Sequence, residues 1–556
     1  MRKRAVLTGL LPSTLLVAAL DTAAPFGPAE GEEPARPHFA YRHSTAELRA
    51  LETETLVDAA RRSRREIEAS LDAGPYRPTW DSLERHPVPE WYVDAKLGIF
   101  YDWGLYSVAG HDEKEWKKAR YPDWYLHRMY TSLKDYHART WGADFERDNF
   151  VPLFTGEAFD AEEVVDLVVE SGARYLVPFS KHHDGFCLWD SSFTHRDVVD
   201  LSPGFDVTGA LVRACRKRDL RHGFYFSVEE YEYPVVGPDG SLALRLWNER
   251  MADGAKTRGV GDETLIDLEP RFLRRISGKV PVPDFVADYL MPQAREFIDR
   301  YEPDILWLDG EWERPSDYYR MREIAAWFYN RAEGRQEVAM NDRLGRETRR
   351  AYGDFYTSET DEITSPIDRV WEECRSMSPS YGYERRERTE DYLSATELVH
   401  MLVRIVARGG NLLLIANPDG DGRLPEVQVE RLRQLGRWLR VNGEAIYATR
   451  AYETHVEATQ LGEGTWYTRS KDGRFAYAVL LDFPRDETVV LQEANPKHGT
   501  EVRLLGHGEP LEWVDTGKDA YGMVVRVPEE MRRDASRRPC EHAWVIRFEW
   551  DQANEF

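Results

Sequence analysis

Cysteine is scarce in this 556-residue chain. The four that occur, Cys187, Cys215, Cys374 and Cys540, are too few and too dispersed to form a disulfide framework, and buried free thiols are the expected state. Basic residues are also in deficit, 74 against 98 acidic ones, leaving a net charge of −24. Nucleic-acid binding rests on basic neutralisation of phosphate, and an anionic membrane surface attracts clustered lysine and arginine. The balance therefore argues against both partners, and the acidic excess serves solubility. Long apolar runs are missing too. Ala5 to Leu20, interrupted by Gly9, Pro12 and Ser13, is short for a membrane span and has no stop-transfer sequel. No internal repeat is evident. Neither His-x-His nor His-x-x-Glu-His spacing occurs, so no metal or other cofactor is expected.

What is present describes a large folded protein. Hydrophobic content of 42% with 12% aromatics (17 Trp, 28 Tyr) excludes a disordered chain, and the length is too great for a single core. The surplus of Trp and Tyr suits stacking against sugar rings. Arg2-Lys3-Arg4, the interrupted apolar run and small residues at Thr22 to Ala24 read as a signal peptide over 1–24, which implies a secreted or periplasmic protein. A Pro/Gly/Glu-rich linker and a charged helix over Thr45 to Leu71 fill 25–75. Short apolar runs then alternate with amphipathic helices. Eight candidate strands stand at Leu97–Tyr101, Tyr175–Phe179, His222–Ser227, Ile305–Leu308, Glu337–Met340, Asp354–Thr357, Arg369–Trp371 and Asn411–Ile415. Strands separated by helices pair in parallel, and eight of them imply a (β/α)8 TIM barrel over 76–450. After Tyr447 the helical period stops. Short alternating strands with Gly, Asp and Pro turns imply an antiparallel β-sandwich over 451–556.

The chemistry should stand where strands open into loops at the barrel's C-terminal rim. Ser180-Lys181-His182-His183-Asp184-Gly185-Phe186 follows one apolar strand and brings two imidazoles, an ammonium and a carboxylate to that rim. Adjacent residues on a strand point to opposite faces, which argues against His182 and His183 sharing a metal. Asp309 ends the run Ile305-Leu-Trp307-Leu308 and precedes Gly310. A carboxylate so presented beside Trp307 suits a nucleophile attacking an anomeric carbon. Glu359, after Gly353-Asp-Phe-Tyr-Thr-Ser, is a candidate general acid/base, with Asp361, Glu362, Glu372 and Glu373 as nearby alternatives.

These residues carry a resemblance. Ala95-Lys-Leu-Gly-Ile-Phe100 with Trp103-Gly-Leu-Tyr-Ser-Val108, Asp123-Trp-Tyr, Ser180 to Phe186, Trp307-Leu-Asp309, Asn341-Asp-Arg343, Gly353-Asp-Phe355, Ser380-Tyr-Gly-Tyr383, Gly409-Gly-Asn-Leu-Leu-Leu414 and Asn442-Gly-Glu-Ala-Ile-Tyr447 occur in the order found in glycoside hydrolase family 29, the retaining α-L-fucosidases. The resemblance implies an exo-acting enzyme that releases terminal fucose from oligosaccharides or glycoconjugates by double displacement. It implies Asp309 as nucleophile and Glu359 as acid/base in one branch of the family. His182 and His183 match the paired fucose-binding histidines, and Trp124, Tyr225, Trp307 and Arg343 fall at or near other sugar contacts. Two positions depart from the pattern: Asp102 stands where the family has His, and Asp123 where it has Glu. Leu344 also replaces a common Trp. A hydrogen bond to a charged group is worth on the order of 1.5 to 3 kcal/mol, so either change could redirect the pocket to another 6-deoxy or L-sugar. A non-catalytic carbohydrate-binding relative is the further alternative, opposed by the retention of both Asp309 and Glu359.

Overall fold

The computed structural model describes residues 53–551 apart from 114–118, 253, 360–362, 366, 458–463 and 517–521. The expected signal peptide, the linker and residues 45–52 of the expected N-terminal helix lie outside the described residues, as do Asp361 and Glu362.

Eight parallel strands form the central sheet: β1 (Leu97–Tyr101), β2 (Tyr175–Lys181), β3 (Arg221–Ser227), β4 (Ile305–Asp309), β5 (Ala339–Met340), β6 (Tyr356–Ser358), β7 (Trp371–Ser376) and β8 (Asn411–Ala416). Their order is β6-β7-β8-β1-β2-β3-β4-β5, and a parallel bridge from Asn341 to Phe355 joins the two ends into a barrel. A sheet covered on both faces reads as unbroken apolar sequence, as in Leu97-Gly-Ile-Phe-Tyr101 and Asn411-Leu-Leu-Leu-Ile-Ala416, every residue of which is buried. Alternation then divides each strand. Phe100, Val177, Phe179, Tyr225, Ile305, Trp307, Leu413 and Ile415 fill the barrel, while Leu306 and Leu308 face the surrounding helices. Gly98 is required inside, because a Cβ there would lie 2.1 Å from the Tyr175 ring.

The outer helices are α1 (Thr53–Ala73), α2 (Ala161–Glu170), α3 (Val207–Lys217), α4 (Met291–Tyr301), α5 (Met321–Ala332), α6 (Ala395–Ala407) and α7 (Glu426–Asn442). Asp160 and Asp206 cap α2 and α3 by accepting from backbone N–H groups of the first turn. Ser394 and Glu397 close a capping box on α6. Helix α1 packs on the barrel's outer wall, burying Ala60, Ile67 and Leu71 with α4 and α5 residues, and Arg295 of α4 reaches Glu66 at 2.5 Å.

Several strand bounds differ from the sequence expectation. Strand β7 runs over Trp371–Ser376 rather than ending at Trp371, because its two glutamates are buried and each has hydrogen-bonding partners. Strands β5 and β6 are shorter and shifted toward the C-terminus, and among the described residues no helix separates β5 from β6 or β6 from β7. An antiparallel sheet that the sequence reading missed is inserted between β3 and α4. Its strands are Glu232–Val236, Leu242–Leu246, Arg258–Val260 and Glu263–Asp267. Buried charge disguised it: Arg245, fully enclosed within the second of these strands, is neutralised by Glu229 at 2.5 Å and Glu263 at 2.8 Å.

Beyond the barrel lie a six-stranded sheet, starting with Thr449–Glu457, and a three-stranded sheet (Thr488–Leu491, Trp513–Asp515, Met523–Arg526), both antiparallel. They enclose a second core of residues such as Tyr467, Ala478, Leu491, Val525, Ile546 and Phe548, so the two sheets form a sandwich. The Trp438 indole N–H of α7 donates to the Ala543 carbonyl at 2.9 Å, joining sandwich to barrel. The four cysteines are unpaired.

Candidate active site

Asp309 is the last residue of β4, and the same alternation that puts Ile305 and Trp307 inside the barrel aims its carboxylate into the barrel mouth. Gly310 follows at φ +92°, a left-handed conformation that lets the chain turn away. The Tyr225 hydroxyl of β3 donates to Asp309 Oδ2 at 2.9 Å, and Arg343 donates to Oδ1 at 2.8 Å. His183 Nε2 lies 3.6 Å from Oδ2. Burial opposes the charge on Asp309, but the adjacent Arg343 guanidinium, with Arg349 behind it, outweighs it and holds the carboxyl below its ordinary range. The carboxylate is ionised, nearly dehydrated and fixed in direction.

Arg343 is itself clamped. Its Nε donates to Thr357 Oγ1 at 2.9 Å, and Thr357 in turn donates through both hydroxyl and amide to Asp342. The guanidinium lies 4.4 Å over the Trp307 ring, and its remaining nitrogen donates to Glu359 Oε1. One buried guanidinium therefore links Asp309 to Glu359, and Glu359 is the more accessible of the two, its side chain 27% exposed against 11%. The alternative carboxylates have other tasks. Glu372 accepts from Tyr92 at 2.8 Å, Tyr175 at 2.5 Å and the Trp307 indole at 2.9 Å, deep in the barrel. Glu373 pairs with Arg375 at 2.7 Å. Trp307, which the sequence reading placed beside a sugar, sits one interior layer below Asp309 as the platform for Arg343.

The histidine pair corrects another expectation. Strand β2 ends at Lys181, so strand alternation no longer applies to the next two residues. Both rings lie on the cavity side, their centroids 4.2 Å apart. His182 Nε2 is 3.6 Å from Asp123 Oδ2. His183 Nδ1 is 2.6 Å from Ser227 Oγ, whose own proton goes to the Glu229 carbonyl at 2.5 Å. Nδ1 is therefore the protonated nitrogen, assigned from this network, and Nε2 is left as an acceptor facing Asp309. Burial first, and for His182 the neighbouring ring, depress both imidazoles, so both are neutral. Lys181 turns away from the cavity to Glu230 at 3.1 Å and Gln293 at 2.8 Å. Asp184 faces the charges of Arg196 and Arg147 and belongs to this structural network, so the rim motif supplies two functional side chains rather than four.

The opposite wall holds Asp102 and Asp123. Asp102 follows β1 in line with Phe100, its backbone N–H donating to Ala416 at 3.0 Å, and its Oδ1 accepts from the Tyr106 hydroxyl. Trp124 packs on His183 at 5.2 Å, Trp247 at 5.4 Å and Trp312 at 5.9 Å. Trp247 directly follows the second strand of the inserted sheet, and the sequence reading missed it, as it did Tyr106. Leu344 is wholly buried in the barrel's outer core and does not line the cavity. Among the described residues no group of three or more His, Cys, Asp or Glu side chains is placed to hold a metal ion.

Residues 65–444 match the α-L-fucosidase family model and residues 459–549 match the model of the α-L-fucosidase C-terminal domain. The chain is 34% identical over 486 residues to a plasma α-L-fucosidase of Rattus norvegicus, covering 86% of this chain and 95% of the relative. It is 32% identical over 477 residues to an α-L-fucosidase of Branchiostoma floridae, covering 85% and 95%. A crystal structure of the Thermotoga maritima α-fucosidase in complex with a mechanism-based inhibitor superposes with a TM-score of 0.67 at 31% identity, covering 86% of this chain and all of that one.

Proposed function

Since this chain belongs to the α-L-fucosidase family, glycoside hydrolase family 29, we propose that it releases terminal α-L-fucose from oligosaccharides or glycoconjugates with retention of configuration. The observation that carries the reading is the single guanidinium of Arg343 between Asp309 and Glu359. It joins an ionised, oriented carboxylate to a second, more accessible carboxyl on one rim.

In this mechanism Asp309 attacks the anomeric carbon and forms a glycosyl ester as the glycosidic C–O bond breaks. Glu359 gives its proton to the departing oxygen. Glu359 then takes a proton from water, whose oxygen attacks the same carbon and returns Asp309 as a free carboxylate. Arg343 holds negative charge on Asp309 at the start and at the end of the cycle. Its contact with Glu359 must loosen for that group to carry a proton, and substrate entering between the carboxylates provides the occasion. His182, His183, Asp102 and Asp123 bind sugar hydroxyls, Trp124 lines the pocket, and Tyr225 keeps Asp309 on line. The plasma relatives support export of this chain after removal of 1–24, and no described helix is long and apolar enough to cross a membrane.

Hydrolysis of 4-nitrophenyl α-L-fucoside by the mature protein, beside Asp309→Ala and a panel of other nitrophenyl glycosides, tests this. Release from the fucoside that is lost in the variant supports the fucosidase and its nucleophile. Asp309-dependent turnover of a different sugar supports the altered-pocket reading, which Asp102 favours. No turnover of any glycoside overturns both.

A further inference from the structure

The wall opposite Asp309 has an unusual composition for a buried site. Asp102 is fully buried and Asp123 is 6% exposed. Three polar atoms there have no hydrogen-bond partner: Asp102 Oδ2, Asp123 Oδ1 and His182 Nδ1. Each belongs to a side chain at least nine-tenths buried. Tyr106 engages Asp102 Oδ1, and His182 Nε2 stands 3.6 Å from Asp123 Oδ2. The Tyr106 and His182 rings meet edge to face at 5.0 Å, tying the two halves of the wall together. Orphaned atoms on pre-positioned groups are what a polar ligand completes.

We propose that Asp102 serves as a neutral carboxylic acid that donates a hydrogen bond to one hydroxyl of the bound sugar, while Asp123 beside it accepts from another. The inference rests on the glycosidase reading and deepens it, because it assigns opposite hydrogen-bonding roles to the two positions where this chain departs from the family pattern.

Negative charge on this wall is poorly compensated. Two ionised carboxylates enclosed together each need a cation, and an unpaired buried charge costs several kcal/mol. The groups facing Asp102 from the surrounding elements are Tyr106 on its own segment, Asp123 from the following loop, His182 after β2 and Tyr225 on β3. His182 is neutral, and among the described residues no lysine or arginine acts on Asp102. Asp123 does feel a cation, Arg128, but burial outweighs it and raises this carboxyl too, to about 7. Asp102, on which no cation acts, is the first of the two to take a proton. Burial first, then the charge of Asp123, push the Asp102 carboxyl far above its ordinary range. With Oδ1 receiving the Tyr106 proton, the acid proton resides on Oδ2, the orphaned oxygen. Asn is the isostere of such an acid, whereas an ionised Asp could only accept.

The test is binding of free L-fucose by calorimetry to the full mature chain, because binding of the monosaccharide needs no acid catalyst. As pH is raised above neutrality, where Asp123 is already ionised, wild-type affinity should fall about tenfold or more as Asp102 ionises. Asp102→Asn should bind within about threefold of wild type near neutrality and show no fall as pH is raised further, since its donor cannot be lost. Asp123→Asn should move the fall to lower pH by removing the neighbouring charge. Tyr106→Phe should move it to higher pH, because the lost hydrogen bond favours the ionised form. This variant keeps the inference testable should Asp102→Asn fail to fold. A flat wild-type profile with Asp102→Asn about tenfold or more weaker at every pH would show an ionised acceptor and overturn the inference. If L-fucose does not bind but another monosaccharide does, the fucose assignment fails. The same profile on that sugar then decides the role of Asp102, pH-independent binding overturning it.

Discussion

The two walls of one cavity handle negative charge in opposite ways. On the β4–β6 side, Asp309 and Glu359 share the buried cation Arg343, and Tyr225 adds a hydrogen bond. On the β1 side, Asp102 and Asp123 are as deeply enclosed, yet Asp102 receives only the neutral Tyr106 hydroxyl. The first wall makes an anion durable and directional, which a nucleophile requires. The second makes an anion costly, which favours a neutral, hydroxyl-reading surface. Identical side chains thus acquire different chemistry from whether a guanidinium lies within reach.

The sharpest way to break this contrast is at Asp309. Asp309→Ala should lower kcat about 10^4-fold or more, measured as nitrophenol release, because no other ionised group stands at that position. Glu359→Ala should lower kcat/KM about 10^2- to 10^4-fold on a natural-type glycoside, and much less on the nitrophenyl glycoside, whose leaving group departs without full protonation. Comparable losses on both substrates would move the acid role elsewhere, with Glu311, buried and raised by burial and by the Asp309 charge, next to be tested.

Arg343→Lys should reduce kcat/KM about 10^2-fold, since a point charge cannot donate to two carboxylates and a threonine at once. It also carries a pH signature. Arg343 depresses the Asp309 carboxyl, so weakening it raises that pKa and moves the acid limb of the kcat/KM profile to higher pH. The same depression contributes folding stability above the unfolded carboxylate value and loses it as pH falls through the folded one, so the variant should lose acid tolerance in a melt measured against pH. The smallest effect belongs to the aromatic rim. Trp247→Ala should raise KM about three- to tenfold with kcat nearly unchanged, because the ring lines the cavity through Trp124 and His183 and touches neither carboxylate. An equal fall in kcat would instead mean that the inserted sheet positions the catalytic wall.

Local sequence determined a good deal of this protein. Apolar runs of strand length placed β1, β2, β4 and β8, because strands buried on both faces tolerate nothing else. A single carboxylate at the end of such a run, followed by Gly310, identified Asp309, since an apolar strand gives a terminal Asp one place to go. The collinear motifs, and the resemblance they carry, pointed to His182, His183 and Arg343, with Tyr225 nearby, as parts of one cavity. What local pattern could not reveal was pairing across the fold. The inserted sheet and most of β7 carry buried Arg245 and Glu372, and a charged residue reads as surface until its partner on another segment is known. Only the tertiary structure decided that Lys181 and Asp184 leave the cavity and that Trp307 supports Arg343 from below. It alone decided that Asp102 meets Asp123 with no cation of its own. Those outcomes depend on distances between segments tens to hundreds of residues apart, and electrostatic character is set by such distances rather than by residue type.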